Sequence, residues 1–178
     1  MEFYQVIKER RSVRRYLEDD IPQDMLERIL EAARWAPSWA NYQCWRFIIV
    51  KDQAKKEKLA EALPEKNPAG KGFVQAPAVV VLCGDPSASG SKDGKDYYLL
   101  DAGLAMEHLV LAAKAEGLGT CWVAWMEEEV VRETCKVPEQ YRVVAMTPLG
   151  YPAKEPKAPP RKDFEEVFFF DEWGESWN

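Results

Sequence analysis

A cluster of basic side chains near the beginning of the sequence is the densest group of residues that could do chemistry. Residues 8–15, KERRSVRR, contain five bases against one acid. Arginine guanidinium groups pair bidentately with phosphate oxygens, and the hydroxyl of Ser12 can add a further hydrogen bond. The cluster therefore predicts a phosphate site; the alternative is a basic face that water solvates.

A second candidate site lies between an apolar helical pattern and a β-branched run. Residues 33–45, ARWAPSWANYQCW, place Ser38, Asn41 and Gln43 among three tryptophans. Polar groups in apolar surroundings need hydrogen-bond partners. The alternative is that these side chains cap the helix and bond within the loop.

Composition excludes several classes of function. The chain has 178 residues, a net charge of −6, four cysteines without a C-x-x-C pair and a single histidine, His108. This pattern argues against zinc and iron–sulfur sites, against Ser–His or Cys–His hydrolases and, through the acidic balance, against nucleic-acid binding. We expect one domain over residues 1–178. Because no apolar run is long enough for a membrane span and MEFYQVIKER lacks the apolar core of a signal peptide, we expect a cytoplasmic protein with no membrane partner.

Hydrophobic periodicity predicts the elements that must position these groups. Helices are expected over residues 2–9, 22–37, 53–62, 96–116 and 127–135. Strands are expected over residues 45–50, 76–84, 120–125, 142–150 and 165–170, with a loop at 64–72 and an extended proline-rich arm at 152–160. The last strand is expected to lie far from the main body. The class is α+β, or a mixed-sheet α/β sandwich with helices on both faces.

The helix expected over residues 96–116 is apolar around nearly its whole circumference. Such a helix must be covered on all sides. In a chain of this size a second copy is expected to supply the missing cover, so the pattern predicts a homodimer built around this helix.

Four blocks in a fixed order carry a resemblance to a known family. They are RRSVRRY at residues 10–16, ARWAPSWANYQCW at residues 33–45, AAKAEGLGTCWVAW at residues 112–125, and PLGYP at residues 148–152 followed by the tail PPRKDFEEVFFFDEWG. The ordered set resembles the FMN-dependent nitroreductase family over nearly the whole chain. The resemblance implies an α+β fold with a mixed sheet flanked by helices. It also implies a homodimer with a long central interface helix and an exchanged C-terminal arm, residues 151–178.

The resemblance also implies which residues bind FMN. It places the following residues at the flavin: Arg10, Arg11, Ser12, Arg14, Pro37, Ser38, Trp39, Lys71, Ala124, Trp125, Arg161 and Lys162. Residues 10–14 would hold the phosphate, the ribityl chain and the pyrimidine edge, with Arg14 near N1 and O2, where a cation favours reduction. Arg161 and Lys162 would return to the phosphate.

Three further groups complete the implied site. Residues 37–39 would come from the second subunit, so that the site exists only in the dimer. The backbone amides of residues 124 and 125 would lie near flavin N5. Lys71 is preferred to Asn67 for the pyrimidine edge.

The implied activity is that of an NAD(P)H oxidoreductase, with NADH or NADPH as reductant. Hydride would pass through flavin N5 in a ping-pong cycle to a nitroaromatic, a quinone or a related small-molecule acceptor, and no side chain would act as acid or base. One alternative is a flavin carrier or redox sensor without turnover, in which Trp39 or Trp125 closes the flavin face. Another is a specialised flavin-cleaving or dehalogenating member. Cys44 departs from the family's usual proline, and the chain lacks an obvious long insertion, which implies a small or open pocket.

Overall fold

Five of the six α-helices in the described chain arise where the apolar periodicity predicts them, and one is an addition. The computed structural model describes residues 2–177. Its α-helices are α1 (Phe3–Glu9), α2 (Gln23–Arg34), α3 (Gln53–Glu61), α4 (Gly70–Gln75), α5 (Tyr97–Ala115) and α6 (Glu128–Cys135). The addition is α4, which begins in the segment expected to be a loop. None of the helices in the described chain is both long and apolar enough to cross a membrane.

The strands form one main sheet and one small hairpin. They are β1 (Trp45–Val50), β2 (Ala78–Gly84), β3 (Ser91–Lys92), β4 (Lys95–Asp96), β5 (Gly119–Thr120) and β6 (Arg142–Gly150). The main sheet has the order β1-β2-β6-β5 with antiparallel neighbours, and β3 pairs with β4. A parallel bridge between Ser12 and Thr120 gives the sheet its mixed character. The α+β class is confirmed.

Strand β2 lies at the centre of the molecule and divides two cores. All of its residues are buried, as its apolar run predicts for a central strand. Because successive side chains point to opposite faces of a sheet, neighbouring residues serve different cores. Val80 and Leu82 belong to the cluster that α2 and α5 complete, whereas Val79 and Val81 belong to the cluster that α3, α4 and α6 complete.

Two strand predictions need correction. The strand expected over residues 120–125 is confined to β5 and an isolated bridge between Val123 and Met146. The strand expected over residues 165–170 is wrong. Phe164–Glu166 instead forms a short 3-10 helix that a reciprocal capping box of Asp163 and Glu166 stabilises. Ring contact at 4.4 Å between Phe164 and Phe168 favours this local turn over an extended chain.

The long helix α5 keeps an uncovered apolar face. Leu99, Leu100 and Leu104 are 47%, 60% and 45% exposed, although they are leucines in a central helix. Phe3 and Ile7 on the neighbouring helix α1 are exposed as well. A monomer therefore leaves unburied the surface for which the sequence predicts a second copy.

Candidate functional site

The arginine segment, residues 10–16, runs in extended conformation beside β5. Val13 N donates a hydrogen bond to Thr120 O at 2.8 Å, next to the bridge between Ser12 and Thr120. A Cβ atom on Gly119 would lie 2.7 Å from Val13 Cγ2, so only glycine permits this approach. The sheet edge thus fixes the backbone of the segment and leaves its arginines at the surface.

Tyr16 anchors the other end of the arginine segment. Its ring is buried, and its hydroxyl donates to Val13 O at 2.7 Å. Burial raises the pKa of this phenol, so it stays neutral and serves as a donor. Tyr16 also bridges to Pro152, and Ala153 N donates to Arg15 O at 3.0 Å. The segment is therefore held between β5 and the start of the C-terminal arm.

A cleft of about 320 Å³ opens between the arginine segment and the arm. We call it the phosphate cleft; its lining consists of Arg10, Arg11, Ser12, Arg14, Pro156, Lys157, Pro159 and Arg161. The structure therefore brings together five of the residues that the resemblance assigns to FMN. Lys162 is not among the lining residues, whereas Lys157 is.

The cations of the phosphate cleft have no carboxylate partner in the part of the chain that the structure describes. Arg11 NH1 donates to the carbonyl oxygens of Lys8 and Arg10 at 2.6 and 2.7 Å, and Arg14 NH1 donates to Ser12 O at 3.3 Å. The ion pairs of residues 2–177 engage other bases. Guanidinium forks, an ammonium group and a hydroxyl facing one cleft form a donor set that fits a phosphate monoester.

The thiol of Cys121 lies within hydrogen-bonding reach of Ser12. Its thiol is buried, which raises its pKa, while Arg14 and a hydrogen bond with Ser12 act in the opposite direction. Its backbone N donates to Thr147 Oγ1 at 2.9 Å. Cys121 is therefore a neutral, packed thiol beside Ser12 and does not itself line the cleft.

Lys71 lies close to the arginine segment because the next residue, Gly72, packs against that segment. Gly72 packs so tightly there that an added Cβ atom would lie 3.3 Å from Arg14 O. Lys71 is exposed on α4 and lines a groove of about 530 Å³ together with Arg15 and Asn67. Asn67 already uses its Oδ1 atom to accept from Ala69 N at 3.0 Å, which favours Lys71 as the free group.

Ala124 and Trp125 follow the isolated bridge of Val123 and lie at the surface. Trp125 is 82% exposed, and Ala124 is exposed as well. In the described chain, neither side chain closes the phosphate cleft.

The segment 37–39 lies at the opposite end of α5 from the phosphate cleft. Trp39 N donates to Oδ1 of the buried Asp101 at 2.8 Å, near the start of the helix. Gly117, just beyond the end of the helix, lines a cavity with Arg10. Sixteen residues separate Asp101 from Gly117, about 24 Å at the rise of an α-helix. Within one chain, residues 37–39 therefore do not meet the arginines.

The polar residues of this second segment bond mainly within their own loop. Ser38 Oγ accepts from Gln43 N at 2.9 Å, and Gln43 Nε2 donates to Asn41 O at 3.1 Å. The buried Asp101 is satisfied by Trp39 N, by Ser89 Oγ at 2.9 Å and by Cys44 Sγ at 3.6 Å. The loop-bonding alternative is therefore what the isolated chain shows for these residues.

Comparison with known proteins decides the family. The pattern described as the Nitroreductase family matches residues 7–72 and 64–151, which include the arginine segment, α5 and β6. The chain belongs to the nitroreductase family. A solved structure of a nitroreductase family protein from Clostridium novyi NT is 40% identical, covers 99% of this chain and 98% of its own, and superposes with a TM-score of 0.84.

Other relatives carry more specific names. An NADH dehydrogenase of Thermus thermophilus is 32% identical over 89% of this chain and 90% of its own length. The structure of an FMN-dependent nitroreductase from Clostridium difficile R20291 is 28% identical, with coverage of 94% and 98% and a TM-score of 0.82.

Relatives at lower identity are named for different reactions. One is 5,6-dimethylbenzimidazole synthase of Rhodospirillum rubrum, 28% identical over 84% of this chain, and another is iodotyrosine deiodinase 1 of Mus musculus, 26% identical over 90%. Membership of the nitroreductase family alone therefore does not fix the reaction.

Proposed function

We propose that this member of the nitroreductase family is an FMN-dependent NAD(P)H oxidoreductase that reduces a nitroaromatic, a quinone or a related acceptor. The observation that carries the proposal is the phosphate cleft, whose cations face one another without a carboxylate. When bound, FMN would supply hydride transfer through N5 between NAD(P)H and the acceptor in a ping-pong cycle.

The chain's own residues bind and orient the cofactor. We assign phosphate binding to Arg10, Arg11, Ser12 and Arg161, with Lys162 retained from the family resemblance. Arg14 and Lys71 would supply positive charge to the pyrimidine edge of the flavin, where a cation favours reduction. The backbone amides of Ala124 and Trp125 would lie near flavin N5. A site of this kind needs no side chain that transfers a proton, because the cofactor carries the reaction.

We propose that the working unit is a homodimer with two shared sites. Each protomer is one domain over residues 1–178. Trp39 is bonded to Asp101, which lies about 24 Å along α5 from the end of the helix where Gly117 and Arg10 line a cavity. Pro37, Ser38 and Trp39 would therefore complete the site of a partner. The exposed leucines of α5 supply an apolar contact surface. The C-terminal arm, residues 151–178, carries exposed aromatic side chains suited to docking on the partner.

Anaerobic reduction of the FMN-loaded protein tests the proposal. NADH or NADPH should bleach the flavin absorption band at about 450 nm, whose position is set by the flavin itself. An added quinone or nitroaromatic should restore the band. Protein that stays yellow with both nucleotides would be a flavin carrier or sensor instead. Protein that binds no FMN would contradict the proposal.

The names of the more distant relatives favour one further measurement on the same sample. Iodide release from an iodinated phenol would indicate dehalogenation, and loss of the flavin spectrum in air would indicate flavin cleavage. Rapid reduction of quinones without either signal supports the oxidoreductase.

A further inference from the structure

The C-terminal arm is tied to the rest of the chain over a short stretch. Leu17 N donates to Tyr151 O at 2.9 Å, and Ala153 N donates to Arg15 O at 3.0 Å. For residues 154–175 of the described chain, the polar contact with the body is the ion pair of Glu155 Oε1 with Lys114 Nζ at 3.4 Å. Everything the arm contributes to the phosphate cleft therefore lies beyond its last backbone bond to the body.

Lys114 touches both walls of the region behind the cleft. Its ammonium group, on a side chain only 16% exposed, lies 3.4 Å from Glu155 on the arm and 3.9 Å from Glu9 Oε2 at the end of α1. Glu9 immediately precedes Arg10. A cavity of about 220 Å³ separates the arm from the body here, so close packing does not hold the arm in place. The ion pair of Lys114 spans this gap.

Lys157 reaches the phosphate cleft from the arm. It lies two residues beyond Glu155 and lines the cleft together with Ser12 and the arginines. It forms no ion pair within residues 2–177. A free ammonium group beside guanidinium groups is repelled by them until an anion enters.

We propose that Lys157 is a phosphate-binding residue of this site, and that Lys114 is the positioning residue that holds the arm through Glu155 so that Lys157 and Arg161 face the cleft. The inference rests on the proposed binding of FMN. It implies that arm docking and phosphate binding strengthen each other, because each orders the same cations.

Comparison of FMN with riboflavin, which lacks the phosphate, tests the role of Lys157. In titrations of the full-length protein, Lys157→Met should raise the Kd for FMN about tenfold, the loss expected for one charge-assisted contact. The Kd for riboflavin should not change. Lys154→Met is the matched control, since Lys154 is exposed on the same arm and does not line the cleft. Equal losses in both variants, or no loss in Lys157→Met, would overturn the assignment.

Trypsin tests the coupling to the arm. The bonds after Lys154, Lys157 and Arg161 all lie in the arm, and FMN should slow their cleavage whereas riboflavin should not. Lys114→Met should weaken FMN binding about threefold, as expected for a partly exposed ion pair, and abolish this protection, while Lys114→Arg restores both. Cleavage that FMN leaves unchanged, or a Lys114→Met variant protected like the wild type, would refute the positioning role.

Different results would exclude the proposed function and the inference about Lys157 and Lys114. A wild-type protein that binds neither FMN nor riboflavin ends the proposed function. A protein that binds FMN and riboflavin with the same affinity keeps a flavin function but removes the phosphate contact, and with it the inference about Lys157 and Lys114.

Discussion

At the level of single residues, several arginines of the same charge line one cleft, which is unfavourable unless another interaction offsets their repulsion. Arginine stays charged in proteins, so Arg10, Arg11 and Arg14 repel one another wherever they face one cleft. The fold keeps them there by burying Val13 and Tyr16 of the same segment and by pairing its backbone with Thr120. An anion of two charges offsets this repulsion, which is why a phosphate monoester suits the site.

Removing two of these charges should release the cofactor and leave the fold intact. Neither Arg10 nor Arg14 forms an ion pair within the described residues, so we expect Arg10→Ala/Arg14→Ala to unfold at nearly the wild-type temperature. Its Kd for FMN should rise about 100-fold or more, because two charge-assisted contacts are lost. Flavin content after gel filtration measures this. The pair Lys55→Ala/Lys58→Ala, which removes two charges from α3, is the control. Stoichiometric FMN in the arginine variant would contradict the phosphate assignment.

Much of the phosphate cleft could be predicted from the types of residue in the sequence. A phosphate requires guanidinium and hydroxyl donors, and RRSVRRY displays them in the sequence alone. Lys157 was missed because which side of an extended, proline-rich arm faces the body depends on how the arm docks. The sequence shows that the arm contains several basic residues. It does not show whether Lys157 or Lys162 faces the cleft.

At the level of elements, a single carboxylate joins α6 to β6. Glu128 Oε1 accepts from Arg142 Nε at 2.9 Å and from Val143 N at 3.0 Å, and Oε2 accepts from Arg142 NH2 at 2.7 Å. Arg132, one turn further along α6, adds a bond of 3.1 Å. These donors, the Arg142 hydrogen bond first among them, lower the pKa of Glu128 from 4.5 to about 2.

This depressed pKa makes part of the stability dependent on pH. The contribution of Glu128 is fully present above about pH 4.5 and is lost as the pH falls towards about 2. Glu128→Gln should therefore lower the free energy of unfolding at pH 7 by about 1 to 2 kcal/mol, and the difference from wild type should shrink at pH 3. Urea unfolding at both pH values measures it. Glu129→Gln, an exposed neighbour, should have little effect; a loss equal to that of Glu128→Gln, or one that persists at pH 3, would count against the network.

Long periodic segments were predictable at this scale, and short ones were not. Strand β1 and helix α5 follow from apolar patterns that span several turns or a whole buried strand. The small helix α4 follows a turn in which Asn67 Oδ1 accepts from Ala69 N, and its Gly72 packs against Tyr16. The sequence displays neither contact. The EEVFFF run has strand-forming residues, yet local aromatic contacts and a capping box determine its shape.

At the scale of the whole molecule, the uncovered face of α5 should control both assembly and cofactor binding. Leu104→Glu places a charge on that face, and burying an unpaired charge is costly. We expect a monomer in sedimentation that binds FMN more than tenfold more weakly, because residues 37–39 of the partner are absent. Leu17→Glu is the control, since Leu17 is equally exposed at 46% but lies off α5. A flavin-loaded dimer of the Leu104→Glu variant would place the interface elsewhere.

The bonds that flank the arginine segment also order events during synthesis. Val13 pairs with Thr120 and Arg15 with Ala153, partners more than 100 positions away along the chain. Contacts of such sequence separation form late, because a long loop must close first. The first sixteen residues therefore leave the ribosome well before their neighbours exist. FMN can therefore be captured only after the polypeptide is finished. A stalled or prematurely terminated product contains the arginines but lacks one or both of the backbone partners that position them.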